Sequence, residues 1–393
     1  MSLDMSFDIK NIVCLFIYDL KDTINLYNLN KDHQENIIIK NLYDIPEKYM
    51  DRLSQQIIEQ IKYKYVEKLL AYDNKIKNVN HMKNTLKILN CSYNCGVDQN
   101  GISELNLNEL YVANNGKIQN ADHMKNTLKI LYCRYDSVID QNGILQLRLV
   151  KLDAYSNKKI YNVNHMKNTL KILNCSYDSG IDQNGILELN LIELNATGNY
   201  KIKNVNHMKK TLKKLDCSEK SGIDQNGISE LNLIELYAYN NKKIKNVNHM
   251  KNTLKILHCG GDKNGIDQTG ISELNLIELN VTNSKQIKNV NHMNKTLEIL
   301  YCGGYSGIDQ EGINELKLIK LNAGDNKKIE NVNHMKKTLK KLNCNYNSGI
   351  DQNGISELNL IELDASHNKK IVNVNHMKNT LKILNCRGYS GID

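Results

Sequence analysis

The stretch NVNHMKNTLKILNC, Asn78 to Cys91, returns with small changes down the chain, and its period constrains the fold more than any other feature. Histidines fall at His81, His123, His165, His207, His249, His292, His334 and His376. Cysteines keep step at Cys91, Cys133, Cys175, Cys217, Cys259, Cys302, Cys344 and Cys386. The interval is 42 residues, except for 43 between His249 and His292, where the extra residue lies in the loop 260–266 (GGDKNGI). Each unit splits into halves of 21 residues, begun by Leu86, Leu107, Leu128, Leu149 and Leu170.

In LKILNC, alternation puts Leu89 and Cys91 on one face and Ile88 and Asn90 on the other, which predicts a short strand. Ile76, Val79 and Met82 stand at three-residue steps, which predicts a 3₁₀-like turn. One such coil is too small to offset the entropy of ordering it, so stacked neighbours must complete its core and backbone pairing. Both halves follow L-x-x-L-x-(C/A)-x-x-x-x-x-I, as in LKILNCSYNCGV (Leu86 to Val97) and LIELNATGNYKI (Leu191 to Ile202). Most halves of the second type carry Asn at the ninth position.

This pattern resembles the leucine-rich repeat, L-x-x-L-x-L-x-x-N-x-L, over residues 65–393. It departs in having Cys or Ala for the third Leu, and Asp136, Lys220 or Tyr305 at the ninth position of first-type halves. Ser284 breaks the Asn column of the second type. The resemblance implies an α/β repeat fold, a solenoid of about sixteen coils with a concave parallel β-sheet and a convex side of short 3₁₀ turns. A small α-helical segment, residues 1–64, is expected before it.

The His and Cys columns invite a metal or redox reading. Equivalent residues are two coils, roughly 9–10 Å, apart. That exceeds the Cα separation of about 7 Å that a disulfide allows and the reach of a shared zinc ion. Cys is therefore expected as a small core residue alternating with Ala154, Ala196 and Ala238, and His as a structural turn residue. Cys14 and Cys95 lie outside the column as ordinary thiols. The recurring GIDQNG, as in Gly180 to Gly185, offers one carboxylate per coil, too few for calcium, and reads as a tight turn. Phosphate-loop, nucleophile-elbow and HExxH motifs are absent from the sequence; neither an enzyme nor a cofactor is expected.

The outward strand positions are the candidate partner-binding residues. The third position gives Ile88 and Ile130 in first-type halves, and Glu109, Glu193, Glu235, Glu278 and Glu362 in second-type halves. The fifth varies most between copies, with Asn90, Tyr111, Tyr132, Tyr237, His258 and Tyr301 beside Asp153 and Asp216. Variable outward side chains over a uniform core, rich in Tyr, suit an unidentified protein partner on the concave face. A groove with a Glu column is a poor phosphate cradle, so nucleic acid is not expected there. The turn lysines Lys75, Lys77, Lys83 and Lys87 read as a solvated convex face, with nucleic-acid binding as the alternative. The longest apolar run, Ile12 to Tyr18, falls short of the roughly 20 residues a membrane span needs. It also lacks a signal-peptide cleavage site. An intracellular, cytoplasmic location without membrane contact is expected, with sequons such as Asn195-Ala196-Thr197 unused.

The first 64 residues lack the period. Ile9, Ile12, Val13, Phe16 and Ile17 have helical spacing, and 51–65 (DRLSQQIIEQIKYKY) reads as a helix after Pro46. Such helices would cap the open edge of the first coil. Their order around DLKDTINLYNLNK resembles a degenerate F-box, although the Leu-Pro opening and the later Trp are missing. That resemblance implies docking of residues 6–40 on a Skp-type adaptor and a role as substrate adaptor of a ubiquitin ligase. The poorly diverged array and its Asn, Lys and Ile bias are similar to repeat proteins of amoeba-infecting giant DNA viruses, which implies the host cytoplasm. The pattern stops at Gly391-Ile392-Asp393, inside a repeat, so the last coil is expected to fray or to be covered, or the chain to be a shortened array.

Overall fold

A computed structural model describes residues 39–43, 53–60, 63–71, 74–93 and 95–392. Residues 6–38, on which the F-box-like reading rests, lie outside the described residues. So do Cys14 and most of the proposed cap. Within the helix expected over 51–65, the described residues contain α1, Gln55–Ile58. The chain divides into two compact units, Met1–Asn190 and Leu191–Asp393.

The first unit carries β1 (Asn41–Leu42), β2 (Lys68–Leu70), β3 (Ile88–Asn90), β4 (Glu109–Tyr111), β5 (Ile130–Tyr132), β6 (Lys151–Asp153) and β7 (Ile172–Asn174). Each pairs with the next in parallel. Among the described residues, parallel pairing thus starts at Asn41, upstream of the start of the 21-residue period. The second unit carries β8 (Glu193–Asn195), β9 (Lys214–Asp216), β10 (Glu235–Tyr237), β11 (Ile256–His258) and β12 (Glu278–Asn280). It continues with β13 (Ile299–Tyr301), β14 (Lys320–Asn322), β15 (Lys341–Asn343), β16 (Glu362–Asp364) and β17 (Ile383–Asn385), again all parallel. A 3₁₀ turn, such as Asn80–Met82 or Asn226–Ile228, returns the chain between successive strands from β2 onward.

Side-chain chemistry explains each turn. Leu86, Leu89, Cys91 and their counterparts up to the coil of β16 are buried, as are Ile76, Val79 and Met82, whereas Leu381 and Cys386 of the last coil are part-exposed and Leu384 is exposed. Each buried Leu contributes roughly 2 kcal/mol. In the GIDQNG turn, the Asp224 carboxylate accepts the Gly227 N–H at 2.9 Å. A Cβ on Gly227 would overlap the Lys203 carbonyl oxygen of the preceding coil, so glycine is required by close approach. The Gln225 side chain clamps the junction with the following coil. Its Oε1 accepts the N–H groups of Lys245 and Asn246, and its Nε2 donates to the Asn246 carbonyl.

The histidines are tied to backbone. The Nε2–H groups of His81, His123, His165, His249, His292, His334 and His376 each donate to an Ile carbonyl of the preceding coil, at 3.0–3.1 Å. A carbonyl can only accept, so this contact sets the tautomer. The column cysteines form no disulfide and are buried from Cys91 to Cys344.

Buried asparagines bridge coils. Asn241 Nδ2 donates to the Cys217 and Ile223 carbonyls at 2.7 and 3.2 Å, and its Oδ1 accepts the Lys243 N–H. In first-type halves the inward polar residue stands at the tenth position instead, at Ser137, Ser179, Ser221, Ser306 and Ser348. The irregular ninth residues Asp136, Lys220 and Tyr305 therefore point to solvent. At the inserted loop, Asn264 takes this inward place. It donates to the Ile266 carbonyl at 2.8 Å and to Ser284 Oγ at 3.4 Å, and accepts the Ile266 N–H at 3.1 Å. The extra residue and the missing ladder asparagine are thus one compensated change.

Candidate functional site

The third and fifth strand positions form two outward columns in each unit because strand side chains alternate between faces. On β3, β4 and β5, Ile88, Glu109 and Ile130 stand in register, and so do Asn90, Tyr111 and Tyr132. In the second unit Glu193, Glu235, Glu278 and Glu362 occupy the third position, and Tyr237, His258 and Tyr301 the fifth. All thirteen candidate residues are part-exposed on the outward side of the strands.

In the first unit the rings of Tyr111 and Tyr132 stack, 4.4 Å apart and 10° from parallel, with Tyr43 tilted against Tyr111 at 6.2 Å. Lys151 Nζ and the Arg134 guanidinium lie 5.1 and 5.5 Å from the Tyr132 ring centre, within cation–π range. Arg134 pairs with the buried Asp153 carboxylate at 2.6 Å, which raises the Arg134 pKa through that hydrogen bond. The Tyr111 hydroxyl donates to Glu109 at 2.9 Å. Burial, then this carboxylate, pushes the Tyr111 pKa well up, so the phenol stays neutral. Beside these rings lies a recess of about 290 Å³ lined by Asn90, Tyr93, Tyr111, Tyr132 and Arg134.

The second unit repeats the chemistry with other residues. The Tyr237 hydroxyl donates to Glu235 at 3.1 Å, and burial, then Glu235, lifts its pKa to about 12. Lys214 pairs with Glu235 and lies over the Tyr237 ring. His258 packs edge-on against Tyr237 at 4.7 Å and shares a 2.8 Å hydrogen bond with Glu278. Tyr301 stands 6.3 Å from His258, and Lys320 donates to its hydroxyl at 3.0 Å. A recess of about 340 Å³ joins Tyr301 to Lys320, Lys341 and Glu362, the last two paired at 2.7 Å.

The fifth column holds two kinds of residue that sequence comparison of copies merges. Asn and Asp there cap the end of their own strand. Asn90 Oδ1 accepts the Ser92 N–H, and Asp153, Asn174, Asp216, Asn280, Asn322, Asn343 and Asp364 each accept the N–H two residues on. Tyr and His cannot make this Asx turn. The aromatic positions have exchanged a local hydrogen bond for an exposed ring.

On the turns, Lys83, Lys167, Lys209, Lys251 and Lys336 pair with Glu104, Glu188, Glu230, Glu273 and Glu357 of the next coil. One lysine on each of these five turns is thereby matched by a carboxylate. Among the described residues, no three His, Cys, Asp or Glu side chains converge as a metal site would require. None of their helices is long and apolar enough to cross a membrane.

Neither a protein-family model nor a curated protein matches the chain in sequence. In structure, the functional domain of InlJ from Listeria monocytogenes, which includes a cysteine ladder, is similar. The match covers 77% of this chain and 74% of that one, at 19% identity and a TM-score of 0.50. The fold is a leucine-rich-repeat solenoid. A chain of the Rad7 and Elc1 complex from yeast aligns over 96% of this chain and 92% of its own, at 15% identity and a TM-score of 0.37. A chain of the TLR13–ssRNA13 complex aligns over 89% and 56%, at 16% and 0.40. Within the leucine-rich-repeat frame of this chain, the cysteines and histidines belong to the coil's own packing, and the fifth column holds the outward residues that differ between copies.

Proposed function

We propose that the chain is a non-enzymatic protein-interaction scaffold that holds a partner on the outward face of its sheet. The observation that carries this reading is the grouping of aromatic rings at Tyr111–Tyr132 and Tyr237–His258–Tyr301, where the Asx cap has been given up. An aromatic there forfeits a turn hydrogen bond, about 1 kcal/mol. It gains a rigid, part-exposed ring, and tyrosine is among the residues that dominate interface energetics.

Because Asn caps neighbouring strands, Tyr132→Asn, Tyr237→Asn and Tyr301→Asn together are expected to preserve the fold. Affinity purification from native cells should then recover partners with the wild-type chain and lose them with this variant. Equal recovery of every partner would remove the sheet face as the binding site.

A further inference from the structure

A second surface in the second unit lies on the loops that follow the strands, and the sheet-face reading does not use it. From β12 to β17, successive loops present Lys285, Tyr305, Lys327, Tyr346, Lys369 and Tyr389. Lysine and tyrosine alternate, one per coil. In-register parallel strands set neighbours ~4.8 Å apart, so the lysines recur every ~10 Å, while Tyr346 stands one place earlier in its loop than Tyr305 and Tyr389 do in theirs. The tyrosines are unusually open for such large rings, at 75% for Tyr305, 54% for Tyr346 and 75% for Tyr389.

The geometry couples charge to ring. Lys285 Nζ lies 5.8 Å from the Tyr305 ring centre and Lys369 Nζ 5.4 Å from that of Tyr389. The Tyr346 ring stacks 3° from parallel on His367, at 5.0 Å. A recess of about 400 Å³ opens between Lys285, Tyr305, Lys327 and Asn347. One carboxylate, Asp325, also lines it, and its Oδ1 accepts a hydrogen bond from Asn347 at 3.3 Å. Tyr346 adopts φ 54°, where the equivalent loops use Gly304 and Gly388. A bulky ring is held in a left-handed conformation that local preference would assign to glycine or asparagine.

We propose that this loop surface binds single-stranded nucleic acid, with bases on the tyrosines and phosphates against the lysines. Alternating rings and cations match a polymer that alternates flat π-faces with negative charge. A duplex hides its base faces in its own stack, and an acidic peptide supplies charge without stacking partners. The paired turn lysines described above are not part of this surface.

The test is fluorescence anisotropy of the full chain with labelled oligo(dT) and oligo(U) of about twelve nucleotides, and with a duplex of equal length. Titrations would run from about 50 to about 200 mM salt. Both single strands should bind, and the duplex at least about tenfold more weakly. Tyr305→Ala, Tyr346→Ala and Tyr389→Ala together should weaken single-strand binding at least about tenfold. Lys285→Gln, Lys327→Gln and Lys369→Gln together should reduce the log–log salt slope by about two. The sheet-face variant Tyr132→Asn, Tyr237→Asn and Tyr301→Asn should bind as wild type does, which separates this proposal from the protein-binding one. No binding at the low salt, equal binding of duplex, or unchanged binding by either loop variant with a wild-type circular dichroism spectrum would overturn it.

Discussion

Asn264 and Ser284 offer the sharpest test of how the coils are held together. In a regular second-type coil, a buried asparagine such as Asn241 supplies the carbonyl of the isoleucine eighteen residues earlier with a donor. At Ser284 that asparagine is absent, and Asn264, 3% exposed, supplies the Ile266 carbonyl and N–H instead. Asn264→Ala leaves both groups buried without partners. At ~1–3 kcal/mol for each, the expected loss is about 2–6 kcal/mol. Ser284→Asn alone should be neutral or cost about 1–3 kcal/mol, because two amides then compete for one carbonyl and one space. In the Asn264→Ala background, the same Ser284→Asn change should restore at least half of the loss. Urea unfolding of the four proteins closes a double-mutant cycle, and amide exchange at Ile266 reports the local event. An Asn264→Ala cost below about 1 kcal/mol, or a cycle without coupling, would refute the compensation.

Gly227→Ala should destabilise by about 3 kcal/mol or more in the same urea assay, since its Cβ must displace backbone of the previous coil. Acidification should weaken the array through His165, His249 and His334. Burial lowers their folded-state pKa below the unfolded value, so the stability present above pH ~6.5 is lost as pH falls through the folded pKa. Thermal midpoints should drop between about pH 7 and pH 5, and changing all three to Gln should flatten that drop. Iodoacetamide on the native chain should label the part-exposed Cys386 before the buried column, since burial pushes Cys259 and Cys302 to about 12. Peptide mapping reads the order, and early labelling of Cys302 would contradict it. Removing the exposed pair at Lys209–Glu230 should change stability by less than about 1 kcal/mol.

The repeat was legible because the core is set by one-dimensional rules. A period of 21 residues, two-residue alternation in LKILNC and three-residue steps through Ile76, Val79 and Met82 define strand, turn and inward face without reference to any other coil. Those rules also identified Cys91 as core and ruled out shared ligation by neighbouring histidines. The third- and fifth-position candidates followed from the same alternation.

Other features depended on contacts that no local pattern carries. The Ser column at the tenth position was visible as a repeat, yet its inward direction was not: an eighth residue of positive φ occurs in both kinds of half, at Tyr135 and at Asn240, while the buried polar residue is the tenth in one and the ninth in the other. Asn90 and Tyr132 occupy equivalent sequence positions, but one closes a turn and the other joins a ring cluster with a neighbouring strand. Asn264 answers for Ser284 across twenty residues, a pairing made only when coils stack. The alternation of lysine and tyrosine on the loops likewise joins different halves of the repeat, so reading each half alone hides it. Local periodicity determined which side chains enter the core, because each coil obeys the same short-range geometry. Tertiary structure decided which outward side chains meet, because that depends on the register between coils.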